Sequence, residues 1–283
     1  MNLRLALLAL TCALATVDAT RKTTTRRPTA TPEPTPEPET PAPVVTPAPG
    51  KTTPSPSPVS NAFYVHHDGY SLLFNCAERT AERWNYTLTT DKKAAARPPD
   101  FYFDPDVSSD CQQLTTKTYT AQAGFDRGHL VASAHMTDST DQRHQSHYIT
   151  NVVPQVSSFN RGIWERGESI EACYRNLNRI YTWGGIVYTD PSNDYFVESH
   201  GIKTPDFWWK VILTKDDQTG ADKIISWYIP NTDNLGPLDD YIVSVREIEA
   251  RVNDNLGPIP VPDSLKDVKA AASWPLPADC GRH

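Results

Sequence analysis

Two short clusters of polar residues, separated by the thirty-one positions from His129 to Asn160, constrain what this chain can fold into. The first cluster is the run FDRGH at 125–129, and the second is the segment NRGIWERGE that starts at Asn160. Asn160, Trp164 and Glu168 recur every four residues, so a helix places all three on one face. The fold therefore has to bring the end of the first run against one face of a helix.

The residue types in these clusters share a chemistry. Histidine is the side chain whose ordinary pKa lets it act as a neutral base near pH 7, and His129 ends the first cluster. Arg127 offers a fixed fork of N–H donors that matches phosphate oxygens. The amide oxygen of Asn160 suits a hard cation such as Mg2+, which prefers oxygen ligands. Together these groups indicate hydrolysis of a phosphodiester with one divalent metal ion.

The two clusters resemble the DNA/RNA non-specific endonuclease family, which carries a DRGH box and an Asn-x3-Trp-x3-Glu helix. Other segments are similar to that family and occur in its order: TNVVPQ at 150–155, YTWGGIVY at 181–188, TPDFWWKV at 204–211 and SWYIPN at 226–231. The resemblance covers roughly residues 60 to 280. It implies an α+β fold, with an antiparallel β-sheet core flanked by helices and a ββα-metal catalytic unit.

By this resemblance His129 is the general base, Arg127 binds the scissile phosphate and stabilises its developing charge, and Asn160 ligates the metal ion. The implied cofactor is Mg2+, with Mn2+ able to substitute, and the implied substrates are DNA and RNA. Asn151 and Gln155 match the segment that leads into the metal-binding helix. We expect both to hold the active-site loop, and Asn151 is also a candidate substrate-binding residue.

Glu168 is the remaining candidate catalytic residue. Eight residues of regular helix rise about 12 Å, which is too far for Asn160 and Glu168 to ligate one ion directly. We therefore expect Glu168 to act through a water on the ion, with irregular helix geometry near Gly162. Trp164 is expected in the core. Asp126 either orients a neighbouring side chain or is a turn residue, and both interpretations stay open.

One position departs from the family pattern. Where the family has an acidic residue after the DRGH stretch, this chain has His135, so the surroundings of the site are not fixed by the resemblance. His144 and His147 are three residues apart without a nearby carboxylate. That pattern is more typical of a polar surface loop than of a transition-metal site.

Composition divides the chain into three parts. Residues 1–19, with Arg4 ahead of a short apolar run and a small-residue cleavage pattern at Ala19, predict a secretory signal peptide. Residues 20–60 hold 12 of the 25 prolines and no aromatic residue, which predicts a disordered Thr/Pro-rich linker suited to O-glycosylation. Residues 61–283 are long enough for one domain, the endonuclease domain by resemblance. No other segment approaches membrane-spanning length, so we expect a secreted, extracellular protein.

Four cysteines remain after removal of the predicted signal peptide, and an even number in a secreted chain predicts disulfides. Three pairings are possible. We favour Cys76–Cys111 with Cys173–Cys280, because the second bond would tie the C-terminal tail to the predicted long helix. The spacings are too wide for a zinc knuckle. The sequon Asn85-Tyr86-Thr87 makes the protein a candidate glycoprotein.

The net charge of the chain limits how tightly it can bind nucleic acid. Lys and Arg number 27 and Asp and Glu number 34, which gives a formal net charge of −7. A protein that holds nucleic acid through counter-ion release is usually basic, so tight non-catalytic binding is disfavoured. An enzyme needs only a local positive groove and its ion, and we expect weak binding without that ion.

Hydrophobic periodicity predicts strands at 69–74, 84–88, 180–188, 208–213 and 224–229. Spacing of three and four residues predicts a long helix from about Ser158 to Arg179, with Ser157 or Ser158 as its N-cap. Its expected buried face comprises Phe159, Ile163, Ile170, Cys173, Tyr174 and Leu177. A second helix is predicted at 243–252.

The favoured interpretation is a secreted, sugar-non-specific, Mg2+-dependent endonuclease that leaves 5′-phosphate ends. Two alternatives remain: a catalytically silent secreted binding module that keeps the nuclease fold, and a surface interaction protein whose linker matters more than its domain. Both polar clusters are complete, which favours the enzyme. A homodimer is compatible with the sequence, which does not fix the oligomeric state.

Overall fold

The computed structural model describes residues 62–93, 95–252, 254–278 and 280. The predicted signal peptide and the predicted Thr/Pro-rich linker lie outside these residues. Within the described ranges, no helix is long and apolar enough to cross a membrane.

A six-stranded antiparallel sheet lies at the centre of the fold. In spatial order its strands are β1 (Ala62–His67), β2 (Tyr70–Asn75), β3 (Thr80–Leu88), β6 (Ile180–Val187), β7 (Phe207–Lys215) and β8 (Asp222–Pro230). The five strands predicted from periodicity are all present, most of them longer than predicted. The edge strand β1 was not predicted. Val65 is its only residue that is buried over backbone and side chain together, so its sequence carries little alternation to read.

Two adjacent glycines in β6 let large side chains pack on both faces of this sheet. Successive residues of a strand point to opposite faces. A Cβ at Gly184 would overlap the indole of Trp84, and a Cβ at Gly185 would overlap the indole of Trp209. Both tryptophans are buried, on opposite sides of the sheet. The absence of two side chains therefore makes room for one indole in each layer.

The two faces of the sheet cover different elements. On the first face, Trp84 and Trp208 pack with Trp164, whose ring centroid is 5.0 Å from that of Trp208. On the second face, Trp209 belongs to a smaller cluster with helix α5 (Val245–Val252). Helix α5 begins two residues later than predicted, after a reciprocal pair in which Ser244 N–H donates to Glu247 and Glu247 N–H donates to the Ser244 hydroxyl.

A second, two-stranded sheet is formed by β4 (Phe125–His129) and β5 (Val152–Val156). Between these strands lies α1 (Thr140–Gln145), and β5 continues into α2 (Ser157–Phe159), a π-helical segment (Asn160–Trp164) and α3 (Glu165–Tyr174). A short α4 (Val197–His200) follows β6. Single 3-10 turns complete the described elements at Ser109–Cys111, Ile149–Asn151, Pro191–Asn193, Leu238–Tyr241 and Asp263–Leu265. The predicted α+β fold with a ββα unit is confirmed.

The long helix differs from its prediction at both ends. It ends at Tyr174 and not near Arg179, and Leu177 is 46% exposed, so that part of the predicted buried face is wrong. Neither serine caps its beginning, because Ser157 Oγ donates to Asp126 and Ser158 Oγ donates to Asp233. The predicted irregularity is confirmed, since Gly162 has non-helical φ −112° and ψ −109°.

The disulfides join Cys76 to Cys111 and Cys173 to Cys280, as predicted. The second bond ties the C-terminal tail to α3. Tyr174 strengthens the same attachment, because its hydroxyl donates to the Pro275 carbonyl and its ring lies 5.1 Å from that of Trp274.

Replacing Gly184 by Ala should destabilise the protein, because the new Cβ overlaps a buried indole that cannot move aside. Overpacking of this kind costs about 1–3 kcal/mol. The matched control is Gly167→Ala in α3, where a Cβ meets nothing within 4 Å and should stabilise the helix by about 0.5–1 kcal/mol. Guanidinium unfolding followed by tryptophan fluorescence measures both. Equal stability of the Gly184 variant and the unaltered protein would contradict this packing.

Candidate active site

Strands β4 and β5 bring the two polar clusters together. They pair antiparallel, with Asp126 opposite Gln155 and His129 opposite Val152. Because β5 runs directly into the helix at Ser157, the start of that helix returns to the beginning of β4. The sequence order strand, loop, strand, helix thus places Asn160 beside the DRGH run.

Position 128 has to be glycine because the side chain of Gln155 packs directly against its backbone. A Cβ at this position would overlap the side chain of Gln155, which is fully buried against β4. Neither amide atom of Gln155 has a hydrogen-bond partner among the described residues. Gln155 therefore holds β4 by packing, and Gly128 provides the space for its side chain.

Asn151 fixes the loop that follows His129. Its side-chain oxygen accepts from Val131 N–H at 2.9 Å, and its Nδ2 donates to the carbonyls of Val131 and Ser146 at 2.9 and 2.8 Å. Its backbone carbonyl accepts from Leu130 N–H. The residue is 0% exposed. This position supports the expected loop-holding role and gives a substrate no accessible atom of Asn151 to contact.

An open cleft of about 300 Å3 lies between the end of β4 and the irregular helix. Four of the candidate residues line it: Arg127, His129, Asn160 and Glu168. The other charged side chains along its walls are Arg97, Arg161 and Glu165. Because Arg161 pairs with Asp126, the positive charge that remains for a polyanion comes from Arg97 and Arg127.

His129 is kept neutral by its surroundings. Its ring lies 5.2 Å from the ring of Phe101 and 5.2 Å from that of His147. Burial, aided by nearby positive charges including Arg97 and Arg127, holds the pKa of His129 well below 6.5. Its Nε2 is buried and has no hydrogen-bond partner among the described residues. A neutral imidazole is suited to accept a proton at pH 7, and because Nε2 is buried, the nitrogen left to do so is Nδ1.

His147 is one of the buried side chains that surround His129. The expectation that it lies in a polar surface loop is therefore wrong. It is 1% exposed, and its Nε2 and Nδ1 lie 2.9 Å from Ser133 Oγ and the Asp100 carbonyl. Burial lowers the pKa of His147 to about 4, so it adds no charge beside His129 near neutral pH.

Arg127 is held by two contacts and still faces the cleft. Its guanidinium carbon lies 4.1 Å from the ring centre of Phe101, and Nη1 donates to the Thr116 carbonyl at 2.9 Å. Stacking leaves the remaining N–H donors of the fork in the plane of the group. The side chain is thereby directed before any phosphate binds.

Asp126 joins the two clusters, which resolves the choice left open by the sequence. Its Oδ2 accepts from Asn160 Nδ2 at 2.9 Å and from Arg161 Nε at 2.8 Å, and its Oδ1 accepts from Arg161 Nη2 at 2.6 Å and from Ser157 Oγ at 3.0 Å. Although burial opposes it, these hydrogen bonds lower the pKa of Asp126. Asp126 is therefore an ionised orienting residue.

Glu168 lies over a buried polar network. His135 Nε2 is 3.1 Å from the Glu168 carbonyl, and the neighbouring Glu171 contacts Lys210 Nζ at 2.6 Å. Burial, together with the charge of Glu171, raises the pKa of Glu168 to about 7, although Lys210 opposes the shift. Burial also lowers the pKa of His135 to about 4, so the residue that replaces the family's acidic group is neutral.

The donor set of the cleft fits a small oxygen-seeking cation. Because Nδ2 of Asn160 is bound to Asp126, its Oδ1 is the free acceptor of that amide. The amide oxygen is a hard ligand of the kind that Mg2+ prefers, and the Glu168 carboxylate lines the same cleft, where it can accept a hydrogen bond from a water on the ion. The residues present therefore fit the expected metal ion.

Three site residues were missed or left unassigned by the sequence. Arg97 lines the cleft from a segment without a motif, and Phe101 packs on both His129 and Arg127. Arg161 follows Asn160 in sequence, but only the structure shows its ion pair with Asp126. No periodic signal marks Arg97 or Phe101, because both reach the site through tertiary folding alone.

The architecture and the cleft together define a ββα-metal nuclease. The family model for the DNA/RNA non-specific endonuclease matches residues 48–258, and the chain belongs to this family. It is thus an endonuclease, a hydrolase acting on nucleic acid.

The most similar relatives include a nuclease of Serratia marcescens, 26% identical over 198 residues, which is 68% of this chain and 73% of that protein. Mitochondrial endonuclease G of Bos taurus is 27% identical over 161 residues, 53% of each chain. Nuclease C1 of Cunninghamella echinulata var. echinulata is 25% identical over 204 residues, 66% of this chain and 79% of the relative.

Among solved structures, a chain of the crystal structure of the EndoG/EndoGI complex superposes with a TM-score of 0.57 at 20% identity. The match covers 67% of this chain and 83% of that chain, and it shows that the fold is shared.

Replacing Asp126 by Asn should reduce activity by about 10- to 100-fold, because the partner that orients the candidate metal ligand Asn160 loses its charge. The Mg2+ concentration for half-maximal activity should rise. The control is Asp233→Asn, which alters a carboxylate bound to Ser158 at the same end of the helix and does not touch Asn160. Equal activities and metal requirements of the two variants would show that Asp126 does not position the site.

Replacing Phe101 by Ala should move the acidic limb of the pH–activity profile upward. Removal of the ring admits water to His129, and less desolvation lets its lowered pKa rise towards 6.5. Phe103→Ala is the matched control, because Phe103 is 52% exposed. Profiles of kcat/KM against pH measure the shift. An unchanged limb in the Phe101 variant would mean that this ring does not set the pKa of His129.

Proposed function

We propose that the protein is a secreted, sugar-non-specific endonuclease that hydrolyses DNA and RNA with one Mg2+ ion and leaves 5′-phosphate ends. The observation that carries the proposal is the convergence of Arg127, His129, Asn160 and Glu168 on one cleft in a chain of this family. Mn2+ is proposed as a substitute cation, because it accepts the same oxygen ligands.

In the proposed mechanism, His129 is the general base. The ring is neutral at pH 7, and it is partly exposed to the cleft while its Nε2 is buried. We therefore assign the accepting lone pair to Nδ1, the nitrogen that a water in the cleft can reach. Proton removal by a positioned base contributes about 10²- to 10⁴-fold to rate.

Arg127 and Asn160 act on the phosphate side of the reaction. The fork of Arg127, already directed by Phe101 and Thr116, binds the non-bridging oxygens as negative charge develops. Asn160 would hold Mg2+ through Oδ1, with Glu168 orienting the water around it. When bound, Mg2+ supplies Lewis-acid polarisation of the phosphate and charge neutralisation at the departing 3′ oxygen.

The charged groups of the cleft explain why both nucleic acids are proposed substrates. Contacts to phosphate carry no base information, and a water nucleophile makes a 2′-hydroxyl unnecessary. Arg97 and Arg161 add two guanidinium groups to the same cleft, the second of them paired with Asp126. The substrate is thus recognised by its backbone.

Secretion and glycosylation are further parts of the proposal. Two disulfides and the predicted signal peptide support export, because disulfides persist in oxidising compartments. Asn85 lies on β3, opposite Trp183 of β6, and is partly exposed. The intact mass of protein secreted from eukaryotic cells, before and after amidase removal of N-glycans, reports both cleavage after Ala19 and glycosylation at Asn85. A mass that retains residues 1–19 would refute the signal peptide.

Digestion of plasmid DNA and of RNA by the full-length secreted protein tests the proposed reaction. Activity should require Mg2+, stop with EDTA, and fall about 10²- to 10⁴-fold in His129→Ala. Asn160→Ala should lose Mg2+-dependent turnover, while the exposed His66→Ala should retain it. New ends should accept label from a polynucleotide kinase only after phosphatase treatment.

Two results would contradict this proposal. Folded wild-type protein without cleavage would favour the silent binding module. Cleavage of DNA and RNA by His129→Ala at the wild-type rate would exclude His129 as the base.

A further inference from the structure

A second group of potential metal ligands lies away from the cleft. His67 ends the edge strand β1, and Asp104 and Asp106 lie in the loop that follows Tyr102. One ligand atom from each of the three lies within 4.8 Å of the others. None of the three lines the candidate active site.

The imidazole of His67 is buried without hydrogen bonds. The side chains of His67 and Asp104 are both 0% exposed, and neither ring nitrogen of His67 makes a hydrogen bond to the described residues. Nε2 nevertheless lies 3.1 Å from Asp104 Oδ2. Apart from this contact the ring has no polar partner in the part of the chain that the structure describes, and a buried polar group without a hydrogen bond costs about 1–3 kcal/mol, which a bound ion would offset.

The separation of the two atoms matches shared coordination. Zn–N and Zn–O bonds of about 2.0–2.1 Å at a tetrahedral angle place two ligand atoms about 3.3 Å apart. Two atoms that face a common ion have no reason to align as a donor and an acceptor. This accounts for a short Nε2–Oδ2 distance without hydrogen-bond geometry.

The carboxylate of Asp104 is positioned by hydrogen bonds, as the carboxylates that ligate metal ions usually are. Asp104 Oδ2 accepts from Thr150 Oγ1 at 2.7 Å, and Oδ1 accepts from the Asp106 backbone N–H at 3.0 Å. Gln112 fixes the backbone of the same residue by accepting from Asp104 N–H. The position of Asp104 is therefore set by protein contacts that leave room for one further partner.

We propose that His67, Asp104 and Asp106 bind one structural Zn2+ ion, with water in the remaining position. An imidazole and two carboxylates suit zinc, whereas Mg2+ rarely takes nitrogen ligands. The ion joins β1 to the loop at 104–106. Through Thr150 it also steadies Asn151, which holds the loop after His129. This site is separate from the proposed catalytic ion and does not depend on the nuclease reaction.

Calorimetric titration with ZnCl2 tests the site on full-length protein stripped with EDTA and freed of chelator. The wild-type protein should bind about one equivalent tightly and gain thermal stability. Asp106→Asn should weaken zinc binding by about tenfold or more, because it removes a ligand. Asp106 is exposed and its backbone N–H still reaches Asp104, so this variant should fold. His67→Asn should weaken binding in the same way.

Two control variants separate this site from other acidic groups and from the cleft. Asp141→Asn changes an exposed carboxylate whose charge also reaches Tyr148, yet it should leave zinc binding unchanged. Asn160→Ala removes the candidate catalytic ligand and should likewise retain one tight zinc equivalent. The proposal is overturned if wild-type protein shows no saturable zinc binding, if Asp106→Asn and His67→Asn bind as wild type does, or if Asn160→Ala abolishes the tight equivalent.

Discussion

Asp126 accepts hydrogen bonds from Asn160 and Arg161 across the junction between β4 and the helix that follows β5, and the rest of the site depends on this carboxylate. It fixes which atom of the Asn160 amide remains free, and it restrains an arginine at the mouth of the cleft. An exposed ion pair alone contributes little to stability. Asp126 therefore acts by positioning, because it connects the strand that carries the proposed base, His129, to the helix that carries the proposed metal ligand, Asn160.

The helix that bears Asn160 and Glu168 packs on a buried polar network inside an apolar core. Glu171 accepts from Tyr86 Oη at 2.5 Å, Thr182 Oγ1 at 2.6 Å and Lys210 Nζ at 2.6 Å, with every partner buried. Loss of one partner of a buried ion pair leaves an uncompensated charge and costs about 3–5 kcal/mol. His135, neutral at physiological pH, extends this network to the Glu168 carbonyl. Its presence in place of an acidic residue adds no charge beneath the site.

Much of the fold could be predicted because its signals are local. The central strands alternate apolar residues, and the even cysteine count predicted two disulfides. Among three possible pairings, the one favoured for the position of the long helix is the one present. The edge strand β1 was missed because most of its side chains face solvent, so no alternation marks it. The predicted helix was too long at its C-terminus. The apolar spacing that suggested Leu177 continues past Tyr174, but no core lies opposite it.

The residue types that make up the site were readable from the chain. DRGH and the four-residue spacing from Asn160 to Glu168 indicated the chemistry, and the glycine at 162 indicated the break in the helix. Only the tertiary structure decided which groups support them. Arg97 and Phe101 come from a distant segment, Asn151 is consumed by backbone hydrogen bonds, and the pKa of His129 is set by burial. These contacts and this pKa depend on side chains that are far apart in sequence and meet only when the chain packs. No local spacing of residues in the sequence encodes such meetings.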